Sequence, residues 1–187
     1  MKLRQLPSRM DERLTHRRIN REPSPLLATF GPWLSVMLLS MMTFSPVIAS
    51  ATVLPPLSFM VLICWRMLRP GMLPVWAGAP LGAFDDLYSG QPFGSAILLW
   101  SVTMLAMDII DSRFRYRGFL QDWLVAACLF AGYIVLTTLI ASAAGGTAPL
   151  HTVLPQMVHA VLLYPAVTGM VALMDKVRLV PLRKIGQ

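Results

Sequence analysis

The chain has 187 residues, of which 56% are hydrophobic and only 13% charged, with a formal net charge of +7 and a mean hydropathy of +0.61. A soluble domain spends about a quarter of its residues on charge, so the composition excludes one. The apolar residues gather into blocks near the roughly 20 residues a helix needs to cross about 30 Å of hydrocarbon, and the short alternating segments of a closed barrel are absent. The fold class read from this is all-α, a polytopic membrane protein.

Residues 1–25 form a polar, basic tail carrying Lys2, Arg4, Arg9, Arg13, Arg17, Arg18 and Arg21. The stretch 9–21 reads as a short surface helix that Pro23 and Pro25 end, since proline cannot continue a helix. A basic segment beside a first span is a topology determinant that lies against anionic lipid. No aromatic residue interleaves the charges and no recognition motif follows, which argues against nucleic acid. Ala49-Ser50-Ala51 has the form of a signal-peptidase site. The apolar run before it is too long for a signal peptide, and about 25 polar residues precede that run, so an uncleaved first span is expected.

Six apolar blocks follow, at about 26–47, 52–68, 72–88, 93–110, 123–144 and 152–174. Together, 26–175 reads as a six-span transmembrane domain and 176–187 as a second basic tail. Pro55, Pro56, Pro74 and Pro80 interrupt the second and third blocks. Proline is tolerated in a membrane helix where neighbours satisfy the freed backbone groups, so these two spans are expected to be packed inside the bundle or kinked.

The basic residues set the orientation. Arg66 and Arg69 fall between the second and third blocks, Arg113, Arg115 and Arg117 between the fourth and fifth, and Lys176, Arg178, Arg183 and Lys184 after the sixth. With the first tail they account for all 16 Lys and Arg residues. The intervening loops, near 45–51, 89–92 and 143–151, have none, so the positive-inside rule places both termini in the cytoplasm. Asp108 and Asp111 lie beside the 113–117 cluster and are expected to pair there. Asp122 opens the fifth block, where a negative charge complements the helix dipole.

The stretch 78–94 stands apart. Gly78 and Gly82, overlapped by Ala79 and Ala83, put small residues on one face and let a neighbouring helix approach closely. Asp85 and Asp86 follow at bilayer depth, where a charged carboxylate costs a few kcal/mol even on lenient scales. Gly90, Pro92 and Gly94 mark the turn into the next span. Two readings stay open: a tight architectural turn whose carboxylates reach interfacial water, or an intramembrane polar contact within the bundle or with a partner's helix. His159, at a similar estimated depth, is a candidate partner for the carboxylates. Adjacent helix residues point about 100° apart, so Asp85 and Asp86 do not form a facing acid/base pair by themselves. No nucleophile elbow, metal-ligand spacing or phosphate loop is present. Cys64 and Cys128 are far apart in apolar blocks. No catalytic residue, metal or cofactor is expected.

The pattern Gly82-x-x-x-Asp86-x-x-x-Gly90-x-Pro92-x-Gly94, set between a proline-interrupted span and an apolar span ending at a basic loop, resembles the MreD family of bacterial rod shape-determining membrane proteins. The resemblance covers roughly 26–175. It implies a noncatalytic scaffold in the inner membrane, part of the complex that synthesises lateral-wall peptidoglycan. The implied partners are an MreC-like bitopic protein, the actin-like MreB, RodA and a class B penicillin-binding protein, with no small-molecule substrate. It also implies a six-helix bundle similar to the substrate-binding subunits of energy-coupling-factor transporters. A vitamin-binding subunit of such a transporter, with a polar pocket near Asp85, Asp86 and His159, is the alternative. The basic N-terminal tail is longer than the family leads one to expect, and either lipid or MreB is its candidate contact.

Overall fold

The computed structural model describes residues 25–42, 55–114, 118–145 and 150–178. The expected surface helix at 9–21 and the segment 49–51 lie outside the described residues. Within them the chain is all-helical: α1 (Pro25–Met42), α2 (Leu57–Leu68), a 3-10 turn (Val75–Ala77) running into α3 (Gly78–Tyr88), α4 (Ser95–Arg113), α5 (Phe119–Ala143) and α6 (Leu150–Arg178). Three helical stretches are long and apolar enough to cross a membrane, namely Ser95–Arg113, Phe119–Ala143 and Val153–Val177. The others are shorter, so the bundle mixes full-length and partial helices.

The expected span at 72–88 illustrates the difference. Its first residues are turn rather than helix, Pro74 precedes the 3-10 segment, and the whole helical run from Val75 to Tyr88 rises only about 22 Å. Pro80 falls in the first turn of α3, where the backbone N–H has no intrahelical partner to lose. Similarly, α2 has 12 residues and rises about 18 Å. Nine consecutive residues, from Ser58 to Arg66, are buried. A helix that is covered all round is a core element, and α2 fills that role.

The surrounding helices close around it. α1 packs on α2 and α3, α3 on α4, α4 on α5, α5 on α6, and α6 on α2. The ring of Phe59 on α2 stacks on Tyr133 of α5 with centroids 4.0 Å apart, and stands 6.0 Å from Trp100 of α4 and 6.3 Å from Phe130 of α5. Tyr164 of α6 continues the cluster against Phe130. Aromatic contacts in these tilted and offset geometries each add about 0.5–1.5 kcal/mol to the burial itself.

Large apolar side chains also cover the outside. On α4, Leu98, Val102, Leu105 and Ile109 are all exposed, three or four residues apart and therefore on one face. α5 and α6 carry comparable outward rows. In water such a surface would aggregate, whereas hydrocarbon accepts it. Proline inside α6 is compensated in the same setting: Pro165 cannot donate to the Val161 carbonyl, and the Trp123 indole N–H takes that carbonyl at 3.2 Å.

Candidate functional site at the α3–α4 turn

Asp85 and Asp86 sit in the last turn of α3, and both are more than nine-tenths buried. Being adjacent, they leave the helix in different directions. Asp85 reaches across to α1 and α2, where its Oδ1 accepts from the Ser40 hydroxyl at 2.7 Å and the Ser58 hydroxyl at 2.9 Å. Asp86 turns forward to α4. Its Oδ2 accepts from the Gly94 N–H at 2.9 Å and the Ile97 N–H at 3.2 Å, and its Oδ1 accepts from the Ala96 N–H at 2.9 Å and the Ser95 hydroxyl at 3.3 Å.

The Asp86 geometry follows from helix chemistry. The first N–H groups of α4 have no partner within their own helix, and the dipole makes that end an anion site. Here the chain supplies its own acceptor from the preceding helix. The carboxylate gains charge-assisted hydrogen bonds, and the helix end is satisfied. This exchange answers how the acidic pair is tolerated: both members act as acceptors of hydrogen bonds from neutral groups, and no Lys or Arg lies between residues 70 and 112.

Glycine makes the geometry possible at two points. A Cβ on Gly82 would stand 2.6 Å from the Ala96 carbonyl oxygen, and one on Gly78 would stand 2.7 Å from that of Trp100. In both, the added Cβ would run into the backbone of α4, so only glycine lets α3 lie this close to it. In the turn, Gly90 and Gly94 have φ of 66° and 97°, the left-handed region that favours glycine. Gly94 is the residue directly before α4 and also a donor to Asp86. Pro92 accepts the Ser95 N–H through its carbonyl at 3.1 Å.

His159 stands elsewhere. Its ring is exposed, and Nδ1 bonds the Pro155 carbonyl one turn back on its own helix at 2.7 Å. The expected bond to Asp85 or Asp86 is therefore corrected: similar depth along a helix does not fix which way the side chain faces. The partners that sequence reasoning missed are Ser40 and Ser58. Their only signal was position, each a hydroxyl within two residues of the end of its helix.

The opposite end of the bundle holds a second polar group. Arg66, read from the sequence as a loop residue, is buried near the C-terminus of α2. Its Nη2 lies 3.0 Å from Asp108 and 3.5 Å from Asp111 on α4, so α2 supplies a partner for both carboxylates, while Arg115 and Arg117 of the basic loop expected to hold them lie outside the described residues. Arg69 pairs with Asp175 of α6 at 2.9 Å. Among the described residues, no three His, Cys, Asp or Glu side chains gather closely enough to hold a metal ion.

The fold and these contacts define a helical membrane protein whose buried carboxylates tie helix ends together. Over residues 26–174 the sequence matches the family described as rod shape-determining protein MreD. The chain belongs to the MreD family, and so to the membrane proteins that determine rod shape. No curated protein and no solved structure gives a significant match.

Proposed function

We propose that this protein is a noncatalytic scaffold of the lateral wall-elongation complex in the bacterial inner membrane, with both termini in the cytoplasm. It holds together an MreC-like bitopic protein, MreB, RodA and a class B penicillin-binding protein, and its bundle shares the arrangement of energy-coupling-factor substrate-binding subunits. Family membership supports the reading, and one structural observation carries it further. Asp86 uses its carboxylate to close the N-terminus of α4, which fixes the α3–α4 turn as a rigid element and asks no chemistry of the group. A scaffold works by favouring one arrangement of its partners, within the limit set by its difference in affinity for the alternatives. A fixed turn at a membrane surface suits that task.

The orientation rests on the placement of basic residues. Arg66, Arg69 and the carboxylates that pair with them stand at one end of the bundle, the end that the positive-inside rule assigns to the cytoplasm. Asp85 and Asp86 are at the other, facing the cell exterior. Depletion of the protein should convert rods to spheres, and affinity purification should recover an MreC-like partner. At matched protein levels, Asp86→Ala should lower that recovery more than Asp111→Ala. Equal recovery from both variants, or retention of rod form after depletion, would argue against the scaffold.

A further inference from the structure

The outward apolar rows of α4 and α6 both end in an unpaired cation. On α4, the row of Leu98, Val102, Leu105 and Ile109 is continued four residues on by Arg113, which is exposed and about 6 Å further along the axis. On α6, the exposed Leu162, Met170 and Leu173 lead to Lys176, three residues past the last of them and also exposed. Arg66 and Arg69 bring these two helix ends to the same end of the bundle, by holding Asp108 and Asp111 of α4 and Asp175 of α6. Those pairs leave two cations over. Among the described residues, neither the Arg113 nor the Lys176 side chain makes an ion pair or a hydrogen bond.

Between these ends α5 begins, since it packs on both α4 and α6. Phe114, just past α4, and Phe119 and Leu120, which open α5, are each more than three-fifths exposed. Such exposure is unfavourable in water and harmless against acyl chains. The remaining carboxylate here, Asp122, is half-buried in the first turn of α5, where it complements the helix dipole. The loop between α4 and α5 adds Arg115 and Arg117 and no acidic residue. Cationic heads with apolar side chains directly beneath them suit a phosphate that sits above its own acyl chains. A zwitterionic headgroup would carry its ammonium toward these cations, so a lipid of net negative charge is favoured.

We propose that the basic ends of α4 and α6, with the start of α5 between them, bind anionic phospholipid, Arg113 and Lys176 attracting the phosphate group while the acyl chains lie along Phe119, Leu120 and the exposed apolar rows. The site depends on the charge of this end and not on which side of the membrane it faces, so it is independent of the scaffold role.

Photocrosslinking of the full chain in nanodiscs of equal phosphatidylglycerol and phosphatidylcholine tests the proposal. The photoreactive residue p-benzoylphenylalanine is placed at Leu120 or, in a second sample, at Leu139, which is also exposed but about 28 Å further along α5. Mass spectrometry then counts the captured lipids of each class. At Leu120 the ratio of phosphatidylglycerol to phosphatidylcholine should exceed the bulk ratio at least fivefold, and at Leu139 it should stay within twofold of bulk. The double variant Arg113→Gln, Lys176→Gln alters two exposed side chains that hold nothing else in place, and it should bring the Leu120 ratio to within twofold of bulk. Equal ratios at Leu120 and Leu139 would overturn the site, as would an enrichment at Leu120 that the double variant leaves unchanged.

Discussion

The two ends of the bundle hold their carboxylates by different means. At the α3–α4 turn, Asp85 and Asp86 are held by hydroxyl groups and backbone N–H groups from three other segments. At the basic end, Asp108, Asp111 and Asp175 are held by arginine. Each solution uses what its surroundings supply. Where no basic side chain is at hand, the exposed N–H groups of a helix end do the work of a cation, and the geometry must then be tight. Where arginine is available, a long side chain reaches its partner from a distance and tolerates some movement.

That contrast sets an order for substitutions, all read as the fraction of folded protein after heating in detergent. Gly82→Val should be the most damaging, because its Cβ already meets the Ala96 carbonyl at 2.6 Å and neither backbone can move away; no folded protein should be recovered. Asp86→Ala should come next, at about 3 kcal/mol or more, since three backbone donors and a hydroxyl lose a charged acceptor together. Asp86→Asn should recover part of the loss, because it still offers one acceptor oxygen.

At the basic end, Arg66→Ala should cost no more than the lower part of the range of about 3–5 kcal/mol for breaking a buried pair. Asp108 has a side chain 56% exposed, so water compensates for its lost partner. Arg66→Met, which refills the volume, should lose less still. Asp108→Asn should be mildest, at about 1 kcal/mol or below, as for an exposed ion pair. An Asp108→Asn defect as large as that of Asp86→Ala would show that the two ends are not different in kind.

Much of this architecture was legible in the sequence. Hydropathy alone located the six α-helices of the described residues, and the C-terminal bounds of α2 and α3 at Leu68 and Tyr88 coincide with the ends of their apolar blocks. The close approach of α3 to α4 falls at Gly78 and Gly82, and Gly90 and Gly94 take positive φ in the turn. Hydropathy could not report helix length within a block, so the non-helical opening of the third was hidden. It also gave no azimuth. His159 was placed at a suitable depth but on the wrong face, and Arg66 was assigned to a loop because an arginine raises no expectation of burial until its carboxylate partners on another helix are known. Ser40 and Ser58 carry no motif, and only the assembled bundle brings them to Asp85.

The partial length of α2 and α3 has a consequence for how the protein meets its bilayer. Changes in hydrocarbon thickness are met by tilting or local lipid deformation at helices that touch lipid, and here these are α1, α4, α5 and α6, which carry rows of exposed apolar side chains. α2 is enclosed by protein along nine consecutive residues and has no acyl chains to match. A thinner or thicker membrane thus strains the outer helices, while the height of Asp85 above the core is set by protein packing. The carboxylate end is a fixed reference point in a medium whose dimensions vary.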